Sequence, residues 1–198
     1  MELKRLGPGF AAEVRGPGLA DVARSDEAYQ AVRAAFEEHS VLLFRGQPIT
    51  DELQLAYSKR FGPLEVAKAA SRAEGTPFSV PTNVEPDGTL HPSDHKEALR
   101  ARANQLWHTD SCFKDPPALA SVLSVRILPG TGGETEFASK RLGWERLPQS
   151  TRARLADAYA RHDYAHSRGK ISPKMISERE RATLPPVCWR LRWRNPAN

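Results

Sequence analysis

Between Leu106 and Ala138 the chain reads as β structure broken by turn chemistry, and this stretch constrains the fold more than any other. Leu123, Val125 and Ile127 alternate with Ser124 and Arg126, the period-two pattern of a strand with one buried face. Pro129-Gly130-Thr131-Gly132-Gly133 is turn chemistry, and a further strand is expected over 134–138. Upstream stands Trp107-His108-Thr109-Asp110. Residues two apart on a strand point to the same face, so His108 and Asp110 are expected to offer an imidazole and a carboxylate to one metal ion, with Trp107 and Thr109 facing away. Two ligands of a 2-His-1-carboxylate face would then be in place, a donor set that leaves the opposite positions of a non-haem Fe(II) open. The third ligand must come from elsewhere.

The rest of the chain supplies helices and loops. Ser25 is a good N-cap for a helix with Asp26 and Glu27 in its first turn and an apolar stripe of Ala28, Val32, Ala35 and Phe36. A short buried strand is expected over 41–44. Thr50 then caps a second helix with Leu53, Ala56, Tyr57 and Phe61 inward, stopped by Gly62-Pro63. Residues 72–103 read as a strand pair and a mobile loop: Pro77, Pro81, Pro86 and Asp87-Gly88 supply turns, and 93–102 is polar. His91 and His95 fall in this segment and read as surface. Two more helices are expected, over 140–147 and from Ser150 to about Arg161. His162 and His166 are four apart and could share a helix face, a weak pattern for zinc.

Composition fits a globular domain: of 198 residues, 39% are hydrophobic and 27% charged. No apolar run is long enough to span a bilayer, the first residues lack the apolar core of a secretory signal, and two cysteines imply no disulfide framework. A cytoplasmic protein without a membrane partner is therefore expected. A net charge of +5 invites a nucleic-acid reading. Three of the arginines, however, fall after Trp189 and the others are scattered among acids, so no nucleic-acid partner is expected.

The ordered blocks Ala103 to Phe113, Pro116-Pro117, Leu123-Ser124-Val125, Pro129 and Gly132-Gly133-Glu134-Thr135-Glu136-Phe137 resemble the taurine / 2,4-dichlorophenoxyacetate dioxygenase family, nearest its dichlorophenoxyacetate branch. The similarity continues in Ser40-Val41-Leu42-Leu43-Phe44-Arg45-Gly46-Gln47-Pro48 and Phe61-Gly62-Pro63-Leu64-Glu65. It implies an α+β fold built on a double-stranded β-helix, or jelly roll, with N-terminal and inserted helices, of which only the first strands are present. It also implies Fe(II), 2-oxoglutarate as cosubstrate, O2, and hydroxylation of a small organic acid with release of succinate and CO2. Aryloxyalkanoates, sulfonates and sulfate esters are all substrates within the family.

Through the resemblance, His108 and Asp110 are the iron ligands and Thr135 is the threonine whose hydroxyl binds 2-oxoglutarate. Asn104 occupies the place of an amide that reaches cosubstrate or substrate. Lys68 and Asn83 are weaker expectations for the substrate pocket. Cys112 reads as a small packing residue, because this chemistry needs no covalent intermediate. A homo-oligomer is compatible with the family.

The family's distal histidine and its 2-oxoglutarate arginine fall in segments with no counterpart among these residues. After Leu184-Pro185-Pro186-Val187-Cys188-Trp189 the resemblance breaks into Arg190-Leu191-Arg192-Trp193-Arg194-Asn195-Pro196-Ala197-Asn198. The expectation is that residues 1–189 are the N-terminal part of one jelly-roll dioxygenase domain and 190–198 a basic tail of frameshifted origin, leaving activity impaired. The alternative is a noncatalytic remnant, or an interaction module derived from such an enzyme. Oxygen-dependent succinate release separates the two.

Overall fold

The computed structural model describes residues 1–67, 73–85 and 87–193. Lys68, Pro86 and the last five residues of the basic tail lie outside the described residues. In chain order the elements are β1 (Glu2–Arg5), β2 (Ala12–Arg15), α1 (Leu19–Arg24), α2 (Asp26–His39), β3 (Leu42–Leu43), α3 (Asp51–Lys59) and α4 (Lys96–Asn104). There follow α5 (Lys140–Arg146), α6 (Gln149–Leu155), β4 (Tyr159–His162), α7 (Tyr164–Gly169), a 3-10 turn (Pro173–Met175), α8 (Glu178–Thr183) and β5 (Val187–Arg190). The chain forms two compact units, one of Met1–Pro63 and Val122–Ala158 with the residues from Leu191, the other of Leu64–Ser121 and Tyr159–Arg190.

In the first unit β1 pairs antiparallel with β2, and β2 runs parallel to β3, with Leu3 opposite Val14 and Ala12 opposite Leu42. Ala12 and Val14 turn inward on the strand period while Glu13 and Arg15 turn outward. The helices start where capping chemistry lets them. Ser25 Oγ accepts the Ala28 N–H (3.2 Å) and Thr50 Oγ1 the Leu53 N–H (3.2 Å), each satisfying a donor that has no partner within the helix. Chain reversal after α2 runs through Ser40, a non-glycine residue at φ +63°. Replacing Ser25 with alanine should cost about 1 kcal/mol of stability, seen as a lower urea midpoint with an unchanged slope; no shift would show the cap to be redundant.

Val14, Leu19, Val22, Val32 and Tyr57 form the core of this unit, with Tyr29, Phe44 and Phe61 packed around it. Aromatic pairs meet edge to face, Phe44 with Tyr57 at 5.8 Å and Tyr29 with Phe61 at 5.5 Å, the orientation that sets ring edge against ring face. Burial pushes the Tyr57 hydroxyl up to about 12.

The second unit pairs β4 antiparallel with β5, Tyr159 opposite Arg190 and His162 opposite Val187. Its core is Leu99 and Ala103 from α4 against Tyr164, Met175 and Ile176, with Phe113 alongside. Met175, 2% exposed, is nearly removed from water, worth about 1.5–3 kcal/mol for a side chain of its size. Glu180 is buried beside this core and is held on several sides. Its Oε2 accepts from the Ser177 N–H (3.0 Å), the Ser177 hydroxyl (3.0 Å) and Lys96 Nζ (3.3 Å), while Arg100 Nη2 stands 3.7 Å from Oε1. One carboxylate thereby caps α8 and ties it to α4.

Several expectations are corrected. From Lys96 on, the polar run expected as loop is helix α4, because Lys, Glu, Ala, Leu and Arg are good helix formers and Leu99 and Ala103, one turn apart, suffice to dock it. The helix expected to run from Ser150 to Arg161 begins at Gln149 and ends at Leu155. Tyr159–His162 is instead taken up by pairing with β5, which also places His162 on a strand and His166 on a helix. The strand pair expected within 72–103 shrinks, among the described residues, to a single bridge, Val84 to Leu90, near Asp87-Gly88.

The most informative difference lies at 122–127, where no ladder forms and the alternation faces the opposite way. Leu123, Val125 and Ile127 are exposed, whereas Val122 and Ser124 are half-buried against α3. Gln54 decides this: its Nε2 donates to the Val122 carbonyl (3.1 Å) and its Oε1 accepts from the Ser124 hydroxyl (2.7 Å). Arg126 adds bonds to Asp51 (2.7 Å) and to the Ile49 carbonyl (3.3 Å). Residues 134–138 likewise carry no ladder.

Candidate metal site

The site begins where α4 ends. Asn104 is its last residue, Gln105 closes it in right-handed helical geometry, and the Leu106 N–H reaches back to the Ala103 carbonyl (3.3 Å). Residues 107–109 then run without a strand partner, so the expected strand is not what aligns His108 and Asp110. A turn does so. Ser111 takes φ +55°, the Lys114 N–H closes on the Ser111 carbonyl (2.9 Å), and the Cys112 thiol donates to the Thr109 carbonyl (3.1 Å).

Two distant residues fix this turn. Glu65 accepts from the Ser111 hydroxyl (2.7 Å) and from Lys114 Nζ (2.6 Å), and the Trp189 indole N–H donates to the Cys112 carbonyl (2.8 Å). Each is a hydrogen bond of ordinary to short length, and two carry a charged partner, the stronger class.

The two expected ligands converge: His108 Nε2 lies 3.3 Å from Asp110 Oδ1. Nδ1 of the same ring is 2.7 Å from the Leu106 carbonyl, which can only accept, so Nδ1 bears a proton. In the neutral ring Nε2 then presents a lone pair towards a carboxylate oxygen. Two acceptors at that distance need a proton or a cation between them. Neighbouring ligand atoms on an octahedral ion with bonds of about 2.1 Å stand about 3.0 Å apart, close to the observed spacing. Asp110 is also oriented by its second oxygen, since the Ser121 hydroxyl donates to Oδ2 (2.9 Å). His108 and Asp110 are thus each held by a second group, the arrangement that fixes metal ligands in place. The pair faces outward, with side-chain exposures of 41% and 62%, and Trp107 beside it is exposed as well.

Ser121→Ala should leave the fold intact and weaken metal binding by roughly 10–100-fold, the usual cost of losing an outer-shell partner. Mn(II) titration followed by electron paramagnetic resonance measures this, and an unchanged affinity would deny Ser121 the role.

The other expected site residues are not all gathered here. Asn104 is exposed, four residues before His108. Thr135 is exposed in the irregular run 132–139 of the first unit. Asn83 is exposed, its carbonyl accepting the His91 N–H (2.9 Å). Lys68 lies outside the described residues. Sequence reasoning missed a second group. His91, expected at the surface, is buried, and one ligand atom each from Glu85, His91 and His95 lie within 4.8 Å of one another. Its signal was the Asp87-Gly88 turn, which folds Glu85 back towards His91.

Among the described residues no helix is long and apolar enough to cross a membrane. The chain is 37% identical over 191 residues to an alpha-ketoglutarate-dependent 2,4-dichlorophenoxyacetate dioxygenase of Cupriavidus pinatubonensis, covering 94% of this chain and 66% of that protein. It is 35% identical over 164 residues to an (S)-phenoxypropionate/alpha-ketoglutarate-dioxygenase of Sphingobium herbicidovorans, covering 82% of this chain and 53% of the relative. The chain therefore spans between about half and two-thirds of the length of these relatives. Among solved structures, AAD-2 in complex with Mn(II) and N-oxalylglycine superposes with a TM-score of 0.86 at 31% identity, over 98% of this chain and 68% of that one. The convergence of His108 and Asp110, the matching architecture and a family model that matches residues 2–198 lead to one conclusion: the chain belongs to the taurine catabolism dioxygenase TauD, TfdA family.

Proposed function

We propose that the chain carries the iron-binding part of an Fe(II)- and 2-oxoglutarate-dependent dioxygenase that hydroxylates a small organic acid, within a jelly-roll domain to which residues 1–189 contribute the N-terminal part. The observation that carries this reading is the His108–Asp110 pair, with its tautomer set by the Leu106 carbonyl and its carboxylate oriented by Ser121. His108 Nε2 and Asp110 Oδ1 are the proposed Fe(II) ligands. Thr135 is proposed to bind 2-oxoglutarate through its hydroxyl, and Asn104, Asn83 and Lys68 to serve cosubstrate or substrate, on the family resemblance alone.

When bound, iron with 2-oxoglutarate and O2 supplies the oxidising power: one oxygen atom enters succinate as CO2 leaves, and the other enters the substrate C–H bond. The protein's own part is positional. The Nδ1 bond to the Leu106 carbonyl fixes the ring's orientation and leaves Nε2 as the nitrogen that would face the ion. The Ser121 bond stops the carboxylate from rotating away, and the Glu65 and Trp189 clamps hold the backbone that bears both ligands.

The substrate class favoured is the aryloxyalkanoates, from the names of the two relatives above. Mn(II) titration of the wild type against His108→Ala and Asp110→Ala tests the metal assignment. Each variant should lose a site that the wild type fills, and identical isotherms would overturn it. Succinate release with aryloxyacetate, sulfonate and sulfate-ester panels tests the substrate class, and faster release with either of the latter two would move the assignment.

A further inference from the structure

We propose that Glu85, His91 and His95 form a second site, for a divalent transition-metal cation of zinc-like character, which shares no residue with the His108–Asp110 pair and is not required by the function proposed above. The chain builds it with a hairpin. The Gly88 N–H donates to the Glu85 carbonyl (2.9 Å) and the Glu85 N–H to the Thr89 carbonyl (2.8 Å), while Asp87 Oδ1 accepts both the N–H (2.9 Å) and the hydroxyl (2.7 Å) of Thr89. With Val84 bridged to Leu90, Glu85 and His91 flank that bridge, and His95 follows as the residue that caps α4.

His91 supplies the independent sign of a missing ligand. Its side chain is only 1% exposed, and neither ring nitrogen makes a hydrogen bond among the described residues. Leaving buried polar atoms in that state is costly, so native structures rarely do it without a reason. Nδ1 faces Glu85 Oε1 at 3.0 Å, a buried imidazole nitrogen and a half-exposed carboxylate oxygen at ion-pair distance but without a hydrogen bond between them. Donor atoms on a tetrahedral zinc ion stand about 3.3 Å apart. That spacing is nearly met by the first pair, and the third ligand atom lies within 4.8 Å of the other two. Two imidazoles and one carboxylate suit a borderline cation, with water in the fourth position.

One adjustment is required. The His91 and His95 rings stack face to face, centroids 4.1 Å apart and planes 10° from parallel, so one ion cannot lie in both ring planes. His95 is the partner free to turn. It is exposed, and among the described residues its Nδ1 is engaged only by the Glu97 N–H at 3.3 Å, a long bond. Loading the site would exchange that cap for a metal bond and tie the 84–91 hairpin to the first turn of α4.

The test is zinc affinity by competition with a chromophoric chelator, on the metal-stripped chain carrying His108→Ala and Asp110→Ala together. One equivalent of Zn(II) should remain, and Glu85→Gln or His95→Ala added to that background should each weaken it at least tenfold. Neither residue is buried, so these two variants carry the test, whereas His91→Ala could disturb the hairpin itself. The NMR signals of the His95 ring should also shift on zinc addition. No retained equivalent, or an affinity indifferent to both Glu85→Gln and His95→Ala, would overturn the proposal. Failure of the iron reading would show differently, as Mn(II) binding indifferent to His108→Ala in an otherwise native chain.

Discussion

On the proposed function, His108→Ala and Asp110→Ala should each lower ferrous-ion-dependent succinate release by about a hundredfold or more. The size follows from what each removes. A 2-His-1-carboxylate face has only three protein ligands, so loss of one leaves the ion with additional water and with no fixed direction for its open positions. His108→Gln keeps a polar side chain of similar reach and loses the imidazole, so it should resemble alanine and not the wild type. The rates must be compared at saturating iron, because a variant that only weakened metal binding would recover there. Turnover within a fewfold of wild type in either variant would place the reacting metal elsewhere.

Glu180→Ala should be the most damaging substitution for stability outside the apolar cores, at about 2–3 kcal/mol. It strands the Ser177 N–H, one end of α8, and two cations in a place where only Lys96 and Arg100 can turn partly to water. The carboxylate also makes stability depend on pH. Burial pushes the Glu180 carboxyl up, but the N–H and hydroxyl of Ser177 and the Lys96 ammonium outweigh it, so the group sits below its ordinary value of 4.5. A depressed folded-state value contributes stability that is fully present above the unfolded value and is lost as pH falls through the folded one. Glu180→Gln should therefore flatten the acid limb of the unfolding curve below about pH 4.5, besides lowering the urea midpoint at neutral pH. An acid limb of unchanged steepness would show that other carboxylates carry it.

Local chemistry was legible wherever a single residue decides an element. Ser25 and Thr50 cap the helices that their positions announce, and Val32, Ala35 and Tyr57 turn inward as their spacing requires. The β stretch failed for a physical reason. Alternation says that two faces differ, but which face is covered depends on what lies opposite, and Gln54 and Asp51 of α3 offer hydrogen bonds to the polar face of 122–126. At His108 and Asp110 the expected convergence of the two side chains is found while its expected route is not. The pair converges through a turn at Ser111 and not through strand geometry, so the spacing was informative only together with anchors as distant as Glu65 and Trp189. His91 shows the complementary case, a histidine whose proline-bounded surroundings suggest solvent but whose hairpin buries it.

The clamps on the metal-bearing turn also set a timetable. Glu65 reaches Ser111 across 46 residues and Lys114 across 49, and Trp189 reaches Cys112 across 77. Closing such spans is entropically slow to be rewarded, so contacts of this separation form after local helices and hairpins. During translation at about 5–20 residues per second, His108 and Asp110 leave the ribosome roughly 4–16 s before the indole that fixes their loop. Until then the proposed ligands are two mobile side chains, and the geometry that the proposed iron site needs waits for β5.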